Sequence, residues 1–551
     1  MNKLYLLPLI FMCSIVFGQH YRSPIDIPIQ LSGTFAELRG THFHSGIDIR
    51  TQGKEGLILR AVADGYVSRI KIQQGGYGKA LYINHLDGTT SVYAHLKRFG
   101  DQVIPYVRKE QYKKKRFTIE LYPDPTDILI KKGDIIGYSG NTGSSFGPHL
   151  HFELRNSANQ IPYNPLQSAF SVKDTKRPEI KQVVAYPVDG VVNRSEENIQ
   201  LSITKKNDSL YVADSVNAIG TIGFGIEYFD RQDDSFNKNG VFEITAQLNG
   251  KRLFHTRFDT LSFDDTAQMH KLVDYPYYVD NKKKLLRLFD AYSITVPFVF
   301  FEQKGLATIE ETKNYAYQIK LSDVSGNNTY LLIPIKGVSE DVWIPKKPSQ
   351  PGKIIAPGRD YLFEFSTASL YINSNTFSLP TPLDIQTNKD TISIQNPHAY
   401  FNKSYKLTFK KEDAKKGMYL ALKRTKKWRF LSKEYKKGAF IARLKSTGSV
   451  TVMQDTIPPS IVAKKNIDNR WISLEKDIRF NIDDSDSGID RFEGYLNGKW
   501  ILFEYEQKKK ELTFRFKDPI KLSQVKHKLK LIVWDKVGNN TTFETTFYRK
   551  E

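Results

Sequence analysis

Gly147-Pro148-His149-Leu150-His151-Phe152-Glu153-Leu154 follows a glycine-rich turn that starts at Gly140. Polar and apolar residues alternate along it, the period of a strand with one face on a core. Residues two apart share a face, so His149 and His151 project together while Leu150 and Phe152 enter the core behind them. Two imidazoles on one face can serve one site, one as a metal ligand and the other beside it. Glu153 alternates with His151, but the sequence alone assigns it no role.

Outward from this strand, residues Ser32 to Leu166 alternate short apolar runs with glycine turns such as Gly75-Gly76-Tyr77-Gly78 and Lys132-Gly133-Asp134. That spacing predicts short antiparallel strands joined by tight turns. Between Phe99 and Lys131 the pattern breaks. The segment contains Lys113-Lys114-Lys115-Arg116 and Pro123-Asp124-Pro125 and reads as a long basic loop inserted between strands.

Histidine is concentrated here. Seven of the eleven histidines lie at or before His151, so imidazole chemistry has one home. His44-Ser45-Gly46-Ile47-Asp48 is the second cluster. Gly46 argues against a rigid helix, and Ile47 and Ile49 flank Asp48 as a strand begins. Asp48 then faces away from the isoleucines, and His44 approaches from the preceding turn. Two neutral imidazoles and one carboxylate on Zn²⁺ leave a net charge of +1 and an open fourth position, the pattern of a catalytic metal. His149 is a natural neighbour of such an ion, and His95, on another alternating run, offers a second imidazole. His42 reads as solvent-facing and His85 as the cap of a strand end. Tyr77 reads equally as packing or as a substrate contact.

The chain has 551 residues, 40% hydrophobic and 26% charged, which excludes a disordered protein and implies several domains. Lys3 followed by the apolar run Leu4–Phe17 predicts an export signal over residues 1–18. The only cysteine, Cys13, lies inside it, so the mature chain has no disulfide and no cysteine nucleophile. No later stretch approaches the ~20 apolar residues of a membrane helix. The net charge of +21 suits anionic polymers. Nucleic acid is disfavoured by the export signal and by the absence of any reading helix or zinc-finger spacing.

After Phe170 a repeat appears. Asp174-Thr175-Lys176-Arg177-Pro178, Leu248-Asn249-Gly250-Lys251 and Asp323-Val324-Ser325-Gly326-Asn327-Asn328-Thr329 return as Asp455-Thr456-Ile457-Pro458-Pro459, Leu496-Asn497-Gly498-Lys499 and Asp535-Lys536-Val537-Gly538-Asn539-Asn540-Thr541. Asn-Gly marks a hairpin turn. The chain is therefore expected to be mainly β. A small antiparallel unit over 19–170, with its insertion at 99–131, precedes immunoglobulin-like β-sandwiches over 171–337 and 455–551. A β-rich unit over 338–454 is entered through a Pro/Lys-rich stretch near Pro345–Pro351.

The His-x-x-x-Asp pair, the later His-x-His and the intervening Tyr93-Ala94-His95-Leu96, in this order and with Gly133-Asp134-Ile135-Ile136-Gly137 as framing, resemble the lysostaphin/LytM-type zinc endopeptidases over about Phe35–Leu166. The resemblance implies His44, Asp48 and His151 as zinc ligands and His95 and His149 as catalytic histidines. It implies a small antiparallel β fold with an open groove. The expected activity is hydrolysis of peptide cross-links in peptidoglycan, in the periplasm or cell envelope, with the C-terminal β domains free to engage a protein partner. Two alternatives stand beside it: a non-catalytic activator of other wall hydrolases, and an exported peptidase acting on proteins. Two features depart from the family: the long insertion, and Ala36 where glycine is more usual.

Overall fold

The computed structural model describes residues 21–39, 42–167, 170, 172–346, 352–388, 390–518 and 524–550. The expected signal over residues 1–18, with Cys13, lies outside the described residues, as does most of the Pro345–Pro351 stretch. No helix among the described residues is long and apolar enough to cross a membrane.

The chain is mainly β. Its N-terminal part comprises β1 (Leu31–Gly33), β2 (Ile47–Arg50), β3 (Ile58–Arg60), β4 (Gly65–Ile72), β5 (Lys79–His85), β6 (Thr89–Ala94) and β7 (Arg98–Phe99). After α1 (Ile104–Lys114) come β8 (Ile119–Leu121), β9 (Leu129–Ile130), β10 (Ile135–Tyr138), β11 (His149–Asn156) and β12 (Pro162–Tyr163). The main sheet runs β1-β2-β11-β6-β5-β4-β8, with β12 on β11 and β9 on β4, and a small sheet runs β3-β10-β7. All pairs in the main sheet are antiparallel. Ile47, Ile49, Leu59, Phe99, Ile136, Leu150 and Phe152 share one core, so the alternating strands bury their apolar sides together and leave the other face for polar groups.

The 99–131 segment is not a loop. It holds α1, β8 and β9. Val103, Val107 and Gln111 recur at helical spacing and are all fully buried, Pro105 sits in the first turn, and Lys115 closes the helix in the left-handed region. The density of Lys and Arg hides this short buried stripe. Lys113, Lys114, Lys115 and Arg116 are exposed.

Three further cores follow, around residues 180–335, 355–450 and 467–547. The last is enclosed by a four-stranded and a five-stranded sheet. The two Asn-Gly pairs of the repeat form hairpin turns with positive φ at each residue: 49° and 82° at Asn249-Gly250, 51° and 77° at Asn497-Gly498.

The N-terminal sheets are tied to the rest on two sides. Phe35, Leu38 and Phe43, from the segment between β1 and β2, belong to the core of the 180–335 unit, and Phe43 meets Phe298 edge-on at 5.4 Å. On the far side, Lys79 pairs with Glu504 at 3.2 Å. Arg108 of α1 pairs with Glu504 and with Asp518, the latter at 3.1 Å. Tyr112 stacks edge-on with Trp500 at 5.4 Å. Lys508 donates to the backbone oxygens of Asn141 and Ser145, in the turn before β11.

Candidate metal centre

The register of three adjacent strands assembles the site. His151 of β11 lies opposite Asp48 of β2 on one side and Ala94 of β6 on the other. His95 follows Ala94 directly. Cross-strand partners share a face, so Asp48, His149 and His151 point the same way. His44 reaches them from the turn before β2. Gly46 allows this turn to cross β11 closely: a Cβ there would lie 2.2 Å from the backbone oxygen of Phe152.

His44 Nε2, Asp48 Oδ1 and His151 Nδ1 stand 3.1, 3.0 and 3.0 Å apart. Donors of a tetrahedral zinc with bonds of about 2.0–2.1 Å lie roughly 3.3 Å apart, so the spacing fits one. The protons point the same way. His44 Nδ1 lies 2.8 Å from the Thr34 carbonyl, which fixes the proton on Nδ1 and leaves a lone pair on Nε2. His151 Nε2 lies 2.7 Å from Glu153 Oε1, which leaves the lone pair on Nδ1. Two lone pairs and a carboxylate oxygen then face one point with no hydrogen between them. That arrangement of neutral imidazoles is repulsive until a cation occupies the point, either a metal ion or, in its place, a proton on His151 Nδ1 shared with Asp48.

All three residues are buried. Burial opposes a charge on Asp48, yet His44, His149 and His151 hold its carboxyl well below the usual carboxylate range. Burial also opposes a charge on His151, but Asp48 and Glu153 outweigh it and push the imidazole up to about 9.

His149 anchors Nδ1 near the Gly147 carbonyl at 2.9 Å, and its Nε2 is 3.4 Å from Asp48 Oδ1. His95 anchors Nδ1 on the Thr142 carbonyl at 2.8 Å. Its ring lies 4.8 Å from that of His149 and 5.9 Å from that of His151. Burial, then the neighbouring His151 and His149, push His95 down to about 3, so it is neutral at neutral pH. Its φ of +60° is costly for a residue with a Cβ. It persists because His95 N also binds the Tyr77 carbonyl at 2.9 Å.

The remaining candidates fall outside the three converging donors. His42 is exposed. His85 ends β5, bound to Asp64 O at 2.9 Å and Ser91 Oγ at 2.7 Å. Tyr77 packs its ring 5.1 Å from that of His151 and donates its hydroxyl to Glu153.

Two side chains matter more than the sequence reading allowed. Glu153 is fully buried. It receives His151, Ser45 Oγ at 2.7 Å and Arg155 Nε at 2.6 Å. Burial opposes its charge, but Arg155 and His151 hold it well below the usual range. Its parity with His151 was the available signal. Arg39 binds Asp48 Oδ2 at 2.8 Å, which occupies that oxygen and turns Oδ1 to the site. Nothing in the spacing of Arg39 announces this. Ala36 adopts φ +56°, which explains why glycine is the more usual residue there.

Residues 42–112 and 126–165 match peptidase family M23. The DD-carboxypeptidase/endopeptidase Mpg of Neisseria meningitidis serogroup B is 34% identical over 126 residues, covering 23% of this chain and 23% of Mpg. The chain thus spans under a quarter of the length of the curated relatives it matches. An uncharacterized metalloprotease of Haemophilus influenzae is 32% identical over 123 residues, covering 22% of this chain and 20% of its own length. Among solved structures, the catalytic domain of lysostaphin from Staphylococcus simulans is 24% identical, with a TM-score of 0.19, covering 25% of this chain and 90% of that one. The match to peptidase family M23 over residues 42–112 and 126–165 thus falls on the part of the chain that carries His44, Asp48, His95, His149 and His151.

Proposed function

We propose that this protein is a zinc-dependent metalloendopeptidase that hydrolyses peptide cross-links of bacterial peptidoglycan at the cell envelope. The convergence of three metal-ligating atoms, His44 Nε2, Asp48 Oδ1 and His151 Nδ1, carries the reading. These residues would hold the zinc. Zinc bound there supplies Lewis acidity, polarising a carbonyl and acidifying water.

The chain's own groups do the rest. Arg39 and Glu153 fix the orientation of Asp48 and His151. His95 and His149 each tie Nδ1 to a backbone carbonyl, which leaves each Nε2 to the cleft as a proton acceptor. One takes the proton of the attacking water and returns it to the departing amine, the task of a general acid–base.

Peptidoglycan as substrate is supported by the likeness to Mpg, a DD-carboxypeptidase/endopeptidase, by the expected export signal and by the basic composition. A protein partner on the C-terminal β domains remains part of this reading. The test is mass spectrometry of fragments released from purified wall, with and without a chelator. Release of cross-link peptides with new amine ends, abolished by the chelator and restored by zinc, is expected. New amine ends only in a protein substrate would overturn the wall assignment.

A further inference from the structure

The repeated turns of the two outer β units each gather three aspartates. Asp174, Asp230 and Asp323 form one group and Asp455, Asp484 and Asp535 the other, each with one oxygen per residue within 4.8 Å of the others. The framing is the same. Asn327 Nδ2 binds Asp174 O at 3.2 Å and Asp323 Oδ2 at 2.7 Å. Asn539 Nδ2 binds Asp455 O at 3.1 Å and Asp535 Oδ2 at 2.8 Å.

The groups differ in what their oxygens face. In the second, backbone amides satisfy each aspartate: Ser487 N for Asp455, Gly488 N for Asp484, and Gly538 N and Asn539 N for Asp535. In the first, Lys176 N donates to Asp174 and Asn327 N to Asp323, but Asp230 is 5% exposed and its Oδ1 has no donor among the described residues. Asn239, 4% exposed, has an Oδ1 in the same condition. Reciprocal backbone bonds of 2.9 Å hold Asn239 opposite Asp230, and both line a cavity of about 180 Å³ with Asp174 and Asp323. None of the three aspartates forms an ion pair with a described lysine or arginine. Burial and mutual repulsion push Asp174 up to about 6 and Asp230 up to about 8.

Buried oxygens without donors, in a cavity of like charge, call for a hard cation. We propose that Asp174, Asp230, Asp323 and the side-chain oxygen of Asn239 bind a calcium ion, separate from the candidate zinc centre. Every donor is oxygen, which excludes the nitrogen and sulfur preferences of zinc. Calcium takes 6–8 oxygen ligands in flexible geometry, and the cavity leaves room for water to complete the shell. The ion would brace the loop over 230–240, which holds β1: Gln232 Oε1 accepts Leu31 N at 2.8 Å, and Gly240 N donates to Thr34 Oγ1 at 2.9 Å.

The test is calorimetric titration of calcium chloride into the full chain after chelator dialysis, with thermal melting beside it. One ion per chain is expected, with Kd of about 10⁻³ M or tighter, and a rise in Tm that an equal concentration of magnesium does not match. Asp230→Asn weakens binding by roughly tenfold or more and, in chelator, melts no lower than the parent. Asp323→Asn gives the same loss should Asp230→Asn fail to fold. Asp484→Asn and Asp48→Ala keep the calcium response. No binding by the parent chain, an equal response to magnesium, or binding unchanged in both Asp230→Asn and Asp323→Asn would overturn the assignment.

Discussion

At the scale of the residue, the site depends on where single protons sit. Thr34 O and Glu153 Oε1 each hold one imidazole proton away from the cleft, and Arg39 occupies the outer oxygen of Asp48. Asp48→Ala and His151→Ala are therefore expected to lose both zinc and hydrolysis. His149→Ala keeps most of the metal while activity falls by about 10²–10⁴. Metal content by plasma mass spectrometry beside rate measurements separates them, and equal zinc loss in all three would refute the division of roles. Ala36→Gly is a second expectation. Left-handed φ costs a residue with a Cβ about 1–2 kcal/mol, part of which glycine returns in unfolded-chain entropy, so the exchange should stabilise by about 0.5–1 kcal/mol in chemical unfolding. His44, Asp48, His95, His149 and His151 were legible because rare chemistry-bearing residues stood at meaningful spacing. Arg39 and Glu153 were not, because a charged residue among 26% charged residues gains its meaning only from the partner that folding brings to it.

At the scale of the element, β11 was readable from its alternation alone: Leu150, Phe152 and Leu154 are fully buried on the core side, and the polar parity faces the site. A one-residue slip against β2 would put His151 opposite an isoleucine. Gly46 protects that register. Gly46→Ala must push β2 from β11, because its Cβ would meet a backbone oxygen at 2.2 Å. A destabilisation of about 1–3 kcal/mol is expected, together with a lower zinc content of the folded fraction, both readable from unfolding curves and metal analysis. Helix α1 escaped the sequence reading for the opposite reason. Its buried stripe has only Val103, Val107 and Gln111, too short to stand out from the lysines around it, and its partners Trp500 and Asp518 lie some four hundred positions away in the chain.

At the scale of the whole molecule, the first and last folded units meet through Glu504. Burial opposes its charge, but Lys79 and Arg108 outweigh it and hold the carboxyl well below the usual range. Its folded value lies beneath the ordinary 4.5, so its contribution is complete above that pH and drains away as acid passes below it. Asp518, beyond Arg108, is pushed up to about 6 by burial despite Arg108, so its ionisation above that pH takes back part of the gain. The expectation is a contact that loosens below about pH 4.5, seen as faster proteolytic release of the C-terminal unit. Glu504→Ala should produce the same release at neutral pH, by leaving Lys79 without its counter-charge and Arg108 with Asp518 alone. Cleavage kinetics indifferent to both acid and substitution would refute it.

The placement of Phe35, Leu38 and Phe43 in the neighbouring core bears on how such a protein can be cut and recombined. A graft ended near residue 170 would carry every side chain of the candidate metal centre yet strip the bed on which the stretch before His44 rests. A transplant that keeps its shape must take the adjoining β unit as well, so for recombination the smallest exchangeable piece is the pair.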